Sequence, residues 1–215
     1  MRIKKGSKRI RLVLEKRQQV GISQNMMKYS ELTETIINAE YSQILNSSWG
    51  FSYLANSTKT FIFKLHNGLL GLNHRVAHFV RDVPRTCTFC DLLGVPEEHS
   101  ETTSHLFFDC ESVEVPISLF YGWLLNSPDP YFLRRSDYFA GFELEQKNKI
   151  KTLHVVNLLV KKFIWDCKLR FTVPRFLDMK NWIVNDIRRM TMENRSFREM
   201  VNQSNLDNLI AEIRF

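Results

Sequence analysis

The chain has 215 residues, 44% of them apolar and 25% charged, with a formal net charge of +7. That is enough to bury a sizeable core as one domain or two small ones, and the balance is ordinary for a globular protein. It has no uninterrupted apolar run long enough to span a bilayer, and its first residues lack the apolar core and cleavage site of a secretory signal. An intracellular protein without a membrane role is expected, and its four cysteines then read as thiols or metal ligands, not disulfides.

The first segment, 1–25, is basic: residues 1–17 hold eight Lys/Arg against Glu15 alone. Helices are expected over 26–85. Leu32, Ile36, Ile37, Tyr41, Ile44 and Leu45 recur at helical spacing behind Ser30, with Glu31 and Glu34 suited to the first turn. Thr60 to Asn67 reads as another helix, closed by Gly68 and Gly71. Asn73 reads as the N-cap of a short one carrying Val76, Phe79 and Val80.

From Thr86 to about Pro116 the period is lost. This stretch carries seven carboxylates (Asp91, Glu97, Glu98, Glu101, Asp109, Glu111, Glu114) and no Lys or Arg. A segment of such length without a hydrophobic period needs something else to order it. Beyond the loop of Pro128 and Pro130 the region 126–215 reads as basic and helical. Leu153, Val156, Val160, Phe163, Ile164 and Cys167 form a stripe opposite Lys161, Lys162 and Lys168, ended by Pro174. Trp182, Ile183, Ile187 and Met190 mark the next helix, with Arg188 and Arg189 on its outer side. Leu206, Leu209, Ile210 and Ile213 mark a last one, capped by Ser204 or Asn205. Residues 147–198 carry thirteen Lys/Arg against four Asp/Glu. The expected fold is mainly α: a helical assembly with a small zinc-stabilised CCHC module, otherwise irregular, over 86–125.

The ordering agent is legible. Cys87-Thr-Phe-Cys90 is a CxxC pair, and His105-Leu-Phe-Phe-Asp-Cys110 is an HxxxxC pair with fourteen residues between the two. A tight turn brings two thiolates onto one metal, and a short helical or turn segment delivers an imidazole and a thiolate together. Three sulfurs and one nitrogen describe a closed, structural zinc site. Its binding energy, on the order of 10–16 kcal/mol in zinc peptides, would offset the cost of ordering the loop. Phe89, Leu106, Phe107 and Phe108 supply apolar packing beneath it. His99 is a rival imidazole, but it lies in a polar run and is expected to face solvent. Cys167 belongs to a helix stripe and reads as core. His66, His74, His78 and His154 show no ligand spacing and read as packing or surface residues.

These residues give the chain a resemblance to the zinc-binding domain that follows the reverse transcriptase of LINE-type (non-long-terminal-repeat) retrotransposons. The similar parts are Phe63-Lys-Leu-His-Asn-Gly-Leu-Leu with His74-Arg-Val-Ala-His-Phe, then Cys87-Thr-Phe-Cys90, then Glu101-Thr-Thr-Ser-His105-Leu-Phe-Phe-Asp-Cys110. Trp123 and the stretch Asn157 to Lys168 follow where that family has a Trp and a downstream helix. The resemblance covers roughly residues 60–175. It implies that Cys87, Cys90, His105 and Cys110 ligate zinc, and that the region holds RNA or DNA beside a reverse transcriptase domain. The stretch between Cys90 and His105 is longer and more acidic than the family pattern, so phosphate contact is better assigned to the basic helices from 147 onward and to the basic N-terminus. No YxDD-like or FxDD-like polymerase signature is present, so reverse transcription is not expected of this chain alone.

By charge, Lys161, Lys162, Lys168, Arg170, Arg188 and Arg189 are the expected nucleic-acid contacts, with Trp165 as a stacking platform. Two other functions compete. Leu92-Leu93 within the acidic block would suit a zinc-stabilised scaffold that binds a basic protein. Pro128-Asp129 followed by Glu145-Gln-Lys147 has the form of a PD…ExK metal-dependent nuclease motif, in which Asp129 and Glu145 share a divalent ion.

Overall fold

The computed structural model describes residues 52–95, 99–127, 134–140, 142 and 147–213. The basic segment 1–25, the predicted helix over Leu32 to Leu45, and both Asp129 and Glu145 lie outside the described residues. The elements are α1 (Asn56–His66), α2 (Asn73–Val76), α3 (Thr88–Leu93), a π-helical turn (His105–Asp109), α4 (Glu111–Leu125), α5 (Arg135–Ala140), α6 (Lys147–Leu169), α7 (Phe176–Glu193), α8 (Arg195–Asn202) and α9 (Asp207–Ile213). Among the described residues there is no strand, and only one isolated antiparallel bridge, between Thr86 and Ser100. No described helix is long and apolar enough to cross a membrane.

The helix α6 is the axis of the fold. The predicted stripe of Leu153, Val156, Val160, Phe163, Ile164 and Cys167 is buried, but so are Thr152, His154, Val155, Asn157, Leu158, Leu159 and Lys161 on its other sides. Four elements pack on α6, namely α1, α7, α8 and the π turn, leaving little of it for solvent. Helix α7 in turn packs against α4, α8 and α9. One hydrophobic cluster runs from Leu54 to Ile210 and takes in Cys87, Cys90 and Cys110, so the cysteine-bearing lobe shares its core with the helices.

Local chemistry accounts for most boundaries. Helix α1 starts four residues before the predicted Thr60, at Asn56, and closes at Gly68, whose φ of 60° is the left-handed geometry glycine accepts most cheaply. Asn73 is the first residue of α2 and not its cap, and the helix stops at Val76. Phe79 and Val80, expected on its packed face, are exposed. Helix α6 ends at Leu169, before Pro174, where the amide of Thr172 donates to the Cys167 carbonyl and Phe171 turns left-handed. Helix α8, not among the predicted helices, is strongly amphipathic, burying Phe197 and Val201 on one face, and Asn194 caps it by accepting from the Phe197 amide at 2.8 Å.

The stretch 86–116 is not irregular throughout. It holds α3, the π turn and the start of α4, which runs straight through Pro116. A proline there removes one helical donor. The burial of Val113, Ile117, Phe120, Tyr121 and Leu124 on the same helix offsets that loss.

Candidate metal centre

Each of the four predicted ligands is set by a different local device. Cys87 occupies the N-cap position of α3 in an extended conformation, with no capping hydrogen bond to its side chain. Its own amide donates to the His99 carbonyl at 2.8 Å, which holds the loop closed across the Thr86–Ser100 bridge. Cys90 lies in the first turn of α3, and Gly94, at φ 65°, reverses the chain after it.

His105 and Cys110 are five residues apart. In an α-helix that separation carries the second side chain partly round the axis. Here the turn is π-helical: the Cys110 amide donates to the His105 carbonyl at 2.9 Å, and both side chains reach the same place. Cys110 then caps α4.

The four ligand atoms all lie within 4.8 Å of one another, an arrangement that could hold a metal ion. The Cys110 Sγ is 3.9 Å from that of Cys87 and 3.8 Å from that of Cys90, and the Cys90 Sγ is 3.4 Å from His105 Nε2. All three cysteines are free thiols and buried. A hydrogen bond from Cys87, and weaker ones from His105 and Ser112, lower the Cys110 thiol to about 4. That same Cys110 contact and burial raise Cys87, and burial followed by the charge of Cys110 raises Cys90 to about 11. A bound cation would take the sulfurs as thiolates and displace the protons they otherwise carry.

Below the cluster, Phe89, Leu106 and Phe107 are fully buried, and Phe107 meets Phe61 of α1 edge to face at 6.2 Å between ring centres. The rival His99 is exposed and outside the four-ligand group; its ring stacks on that of His105 at 5.0 Å. His66 and His154 are buried, His74 is half-buried with its Nδ1 donating to the Glu101 carbonyl at 2.8 Å, and His78 is exposed. Cys167 is core, as its place in the stripe indicates.

The residue that sequence reasoning missed is Glu101. Counted there within a solvated acidic block, it is fully buried. One carboxylate oxygen accepts from the Asn73 amide at 2.8 Å and pairs with Lys168 Nζ at 2.8 Å. The other accepts from the Thr88 amide and hydroxyl at 3.0 and 2.7 Å. Lys168 also donates to the Gly71 carbonyl, and the Asn73 side chain donates to the Thr86 carbonyl. Glu101 thus ties the root of α2, the first turn of α3 and the end of α6 to the lobe that carries the cysteines. Its position four residues before His105 in the quoted motif was the only trace of it in the sequence.

The predicted basic face of α6 is not a solvent face. Lys161 is fully buried: its Nζ donates to the Tyr138 carbonyl at 2.7 Å and sits 4.5 Å from the centre of the Tyr138 ring, and burial lowers its pKa well below the usual lysine range. Lys162 is engaged by Asp166, and Lys168 by Glu101. The physical reason is the crowding of α6 on nearly every side, which leaves no outer face for charge. Trp165 is half-buried, packed at 6.4 Å from Phe61 with Lys168 Nζ 5.0 Å from its ring, so its faces are already in use. On α7, Arg188 donates to the Glu212 carbonyl at 2.6 Å, and Arg189 is shared between Asp186 and Glu193. Arg170 is exposed, with its Nε on the carbonyl of Asp166.

No family model, curated protein sequence or solved structure matches the chain.

Proposed function

We propose that Cys87, Cys90, His105 and Cys110 hold one structural zinc ion, and that the lobe so ordered serves nucleic-acid binding, in a chain related to the zinc-binding domain of LINE-type retrotransposon proteins. The observation that carries the metal reading is the shape of the cluster. A tetrahedral zinc with bonds of roughly 2.3 Å to sulfur has edges of about 3.8 Å, against separations of 3.9 and 3.8 Å here. Three thiolates and one imidazole suit zinc over harder cations, and the set leaves no open coordination position for catalysis. The nucleic-acid reading rests on the basic balance of the chain, on Arg170 as an exposed cation among the residues first singled out, and on the quoted resemblance to proteins that work beside a reverse transcriptase domain.

Metal analysis of the purified protein beside Cys110→Ser tests the first half. One zinc per chain is expected for the wild type and less than stoichiometric zinc for the variant, with helix content falling on chelation. A wild-type protein that keeps its fold and contains no metal refutes it. Retention of RNA or DNA that weakens steeply as salt rises tests the second half.

A protein-binding scaffold is the second reading. Leu92 and Leu93 on α3 are 45% and 56% exposed beside Asp91, and Val115 and Leu119 on α4 are exposed beside Glu111 and Glu114. That surface fits a basic partner. No retention of either nucleic acid at low salt selects it.

A further inference from the structure

Most basic side chains in the second half of the described fold are already engaged. Lys162, Lys180, Arg189 and Arg195 pair with carboxylates, Lys168 with the buried Glu101, and Arg188 and Arg198 with backbone carbonyls. The segment from Arg75 to Arg85 is different. Among the described residues, the guanidinium groups of Arg75, Arg81 and Arg85 have no hydrogen-bond or ion-pair partner. Arg81 and Arg85 are exposed and Arg75 is half-buried. Between them Phe79 is 88% exposed, the most exposed large apolar side chain of the described fold. The one carboxylate in the segment is Asp82, at φ 70°, so three unpaired cations face a single anion.

The segment is also held at both ends. At its root, Asn73 and His74 are bonded to Glu101, and Asn73 also to Thr86 and Thr88. At its far end the Glu101 amide donates to the Arg85 carbonyl at 2.9 Å, and Thr86 bridges to Ser100. A loop pinned in this way to the cysteine-bearing lobe presents its side chains without the full ordering cost of a free loop. An unburied aromatic ring among unpaired guanidiniums offers a base face a stacking partner and its phosphates a charge partner.

We infer that the Arg75–Arg85 loop grips single-stranded nucleic acid, with Arg75, Arg81 and Arg85 on phosphates and Phe79 stacked on a base. This rests on the nucleic-acid reading above and assigns it to a surface that charge counting along the chain did not select. Exposed Phe79 is what favours a single strand, because a paired duplex hides its base faces.

The test is fluorescence anisotropy of the full chain with a short labelled oligouridylate, the matching thymidine DNA and a blunt DNA duplex, each over a range of salt. The expected result is single-strand binding whose log–log salt slope falls by about 2 when Arg75, Arg81 and Arg85 are all changed to Gln, at roughly 0.7 per lost phosphate contact. Phe79→Ala should weaken binding about tenfold and leave the slope unchanged, as loss of one stacked base would. Both variants change exposed or half-exposed side chains, and unchanged thermal melting and metal content verify their folding. If the wild type binds and the triple variant keeps its affinity and slope, the loop assignment is overturned while the nucleic-acid reading stands. If the wild type binds none of the three probes, both fall. Preference for the duplex with a silent Phe79→Ala, or binding to phosphatidylserine vesicles in place of oligonucleotides, also overturns the assignment.

Discussion

At the scale of single residues, Phe171 carries an avoidable cost. It follows α6 at φ 52°, a left-handed conformation that crowds any side chain with a Cβ, and its ring is 72% exposed, so little burial offsets the strain. Glycine is the usual residue where a helix closes this way. Phe171→Gly is therefore expected to stabilise the protein by about 1 kcal/mol, read as a higher urea midpoint with an unchanged slope. A lower midpoint would show that the ring makes contacts that matter. The cysteines illustrate the opposite economy: each sulfur is placed by its backbone, Cys87 and Cys110 as helix caps, before any metal is considered.

At the scale of elements, Glu101 decides how the parts meet. Its carboxylate is the common partner of Asn73, Thr88 and Lys168, which belong to three helices or their roots. A buried pair of this kind adds little over a well-packed apolar replacement, but removing one partner leaves the other charge buried alone. Glu101→Ala should therefore cost about 3–5 kcal/mol, measured by urea unfolding, and Glu101→Ala with Lys168→Met should recover part of that loss. Equal destabilisation in the single and double variants would mean that the pair is not what holds the elements. The π turn is a second device at this scale. One extra residue in the turn brings His105 round to Cys110, so the five-residue spacing and the helix type explain each other.

At the scale of the molecule, one continuous core encloses two histidines that are neutral in the folded state. Burial, then the charge of Lys161, lowers His154 to about 4 and His66 to about 3. In the unfolded chain both titrate near 6.5. Below that pH the unfolded state binds more protons than the native one, so stability is full above about 6.5 and is lost progressively as pH falls toward 4 and then 3. The unfolding free energy should drop through this window, and His154→Gln, able to keep an acceptor for the Phe142 amide, should reduce the drop by roughly 1–3 kcal/mol at about 1.4 kcal/mol per pKa unit. Parallel wild-type and variant curves would refute the assignment. Comparing the two proteins under the same conditions separates this effect from acid loss of metal, which both share.

The mainly helical class, the buried stripes of α6 and α7 and the four members of the Cys3His cluster were all legible in the sequence, because each depends on spacing along the chain. Leu153 to Cys167 repeat at the helical period, and CxxC with HxxxxC names its own partners. What only the tertiary structure decided depends on how many neighbours an element has. A helical period identifies an apolar stripe, but it cannot tell that α6 is covered on its other sides as well, so Lys161 looked like surface and is core. Glu101 has no period and no local partner; its four contacts come from 13 to 67 residues away. The unpaired arginines around Phe79 were likewise hidden, because charge counted along a chain cannot show which cations are already neutralised in space.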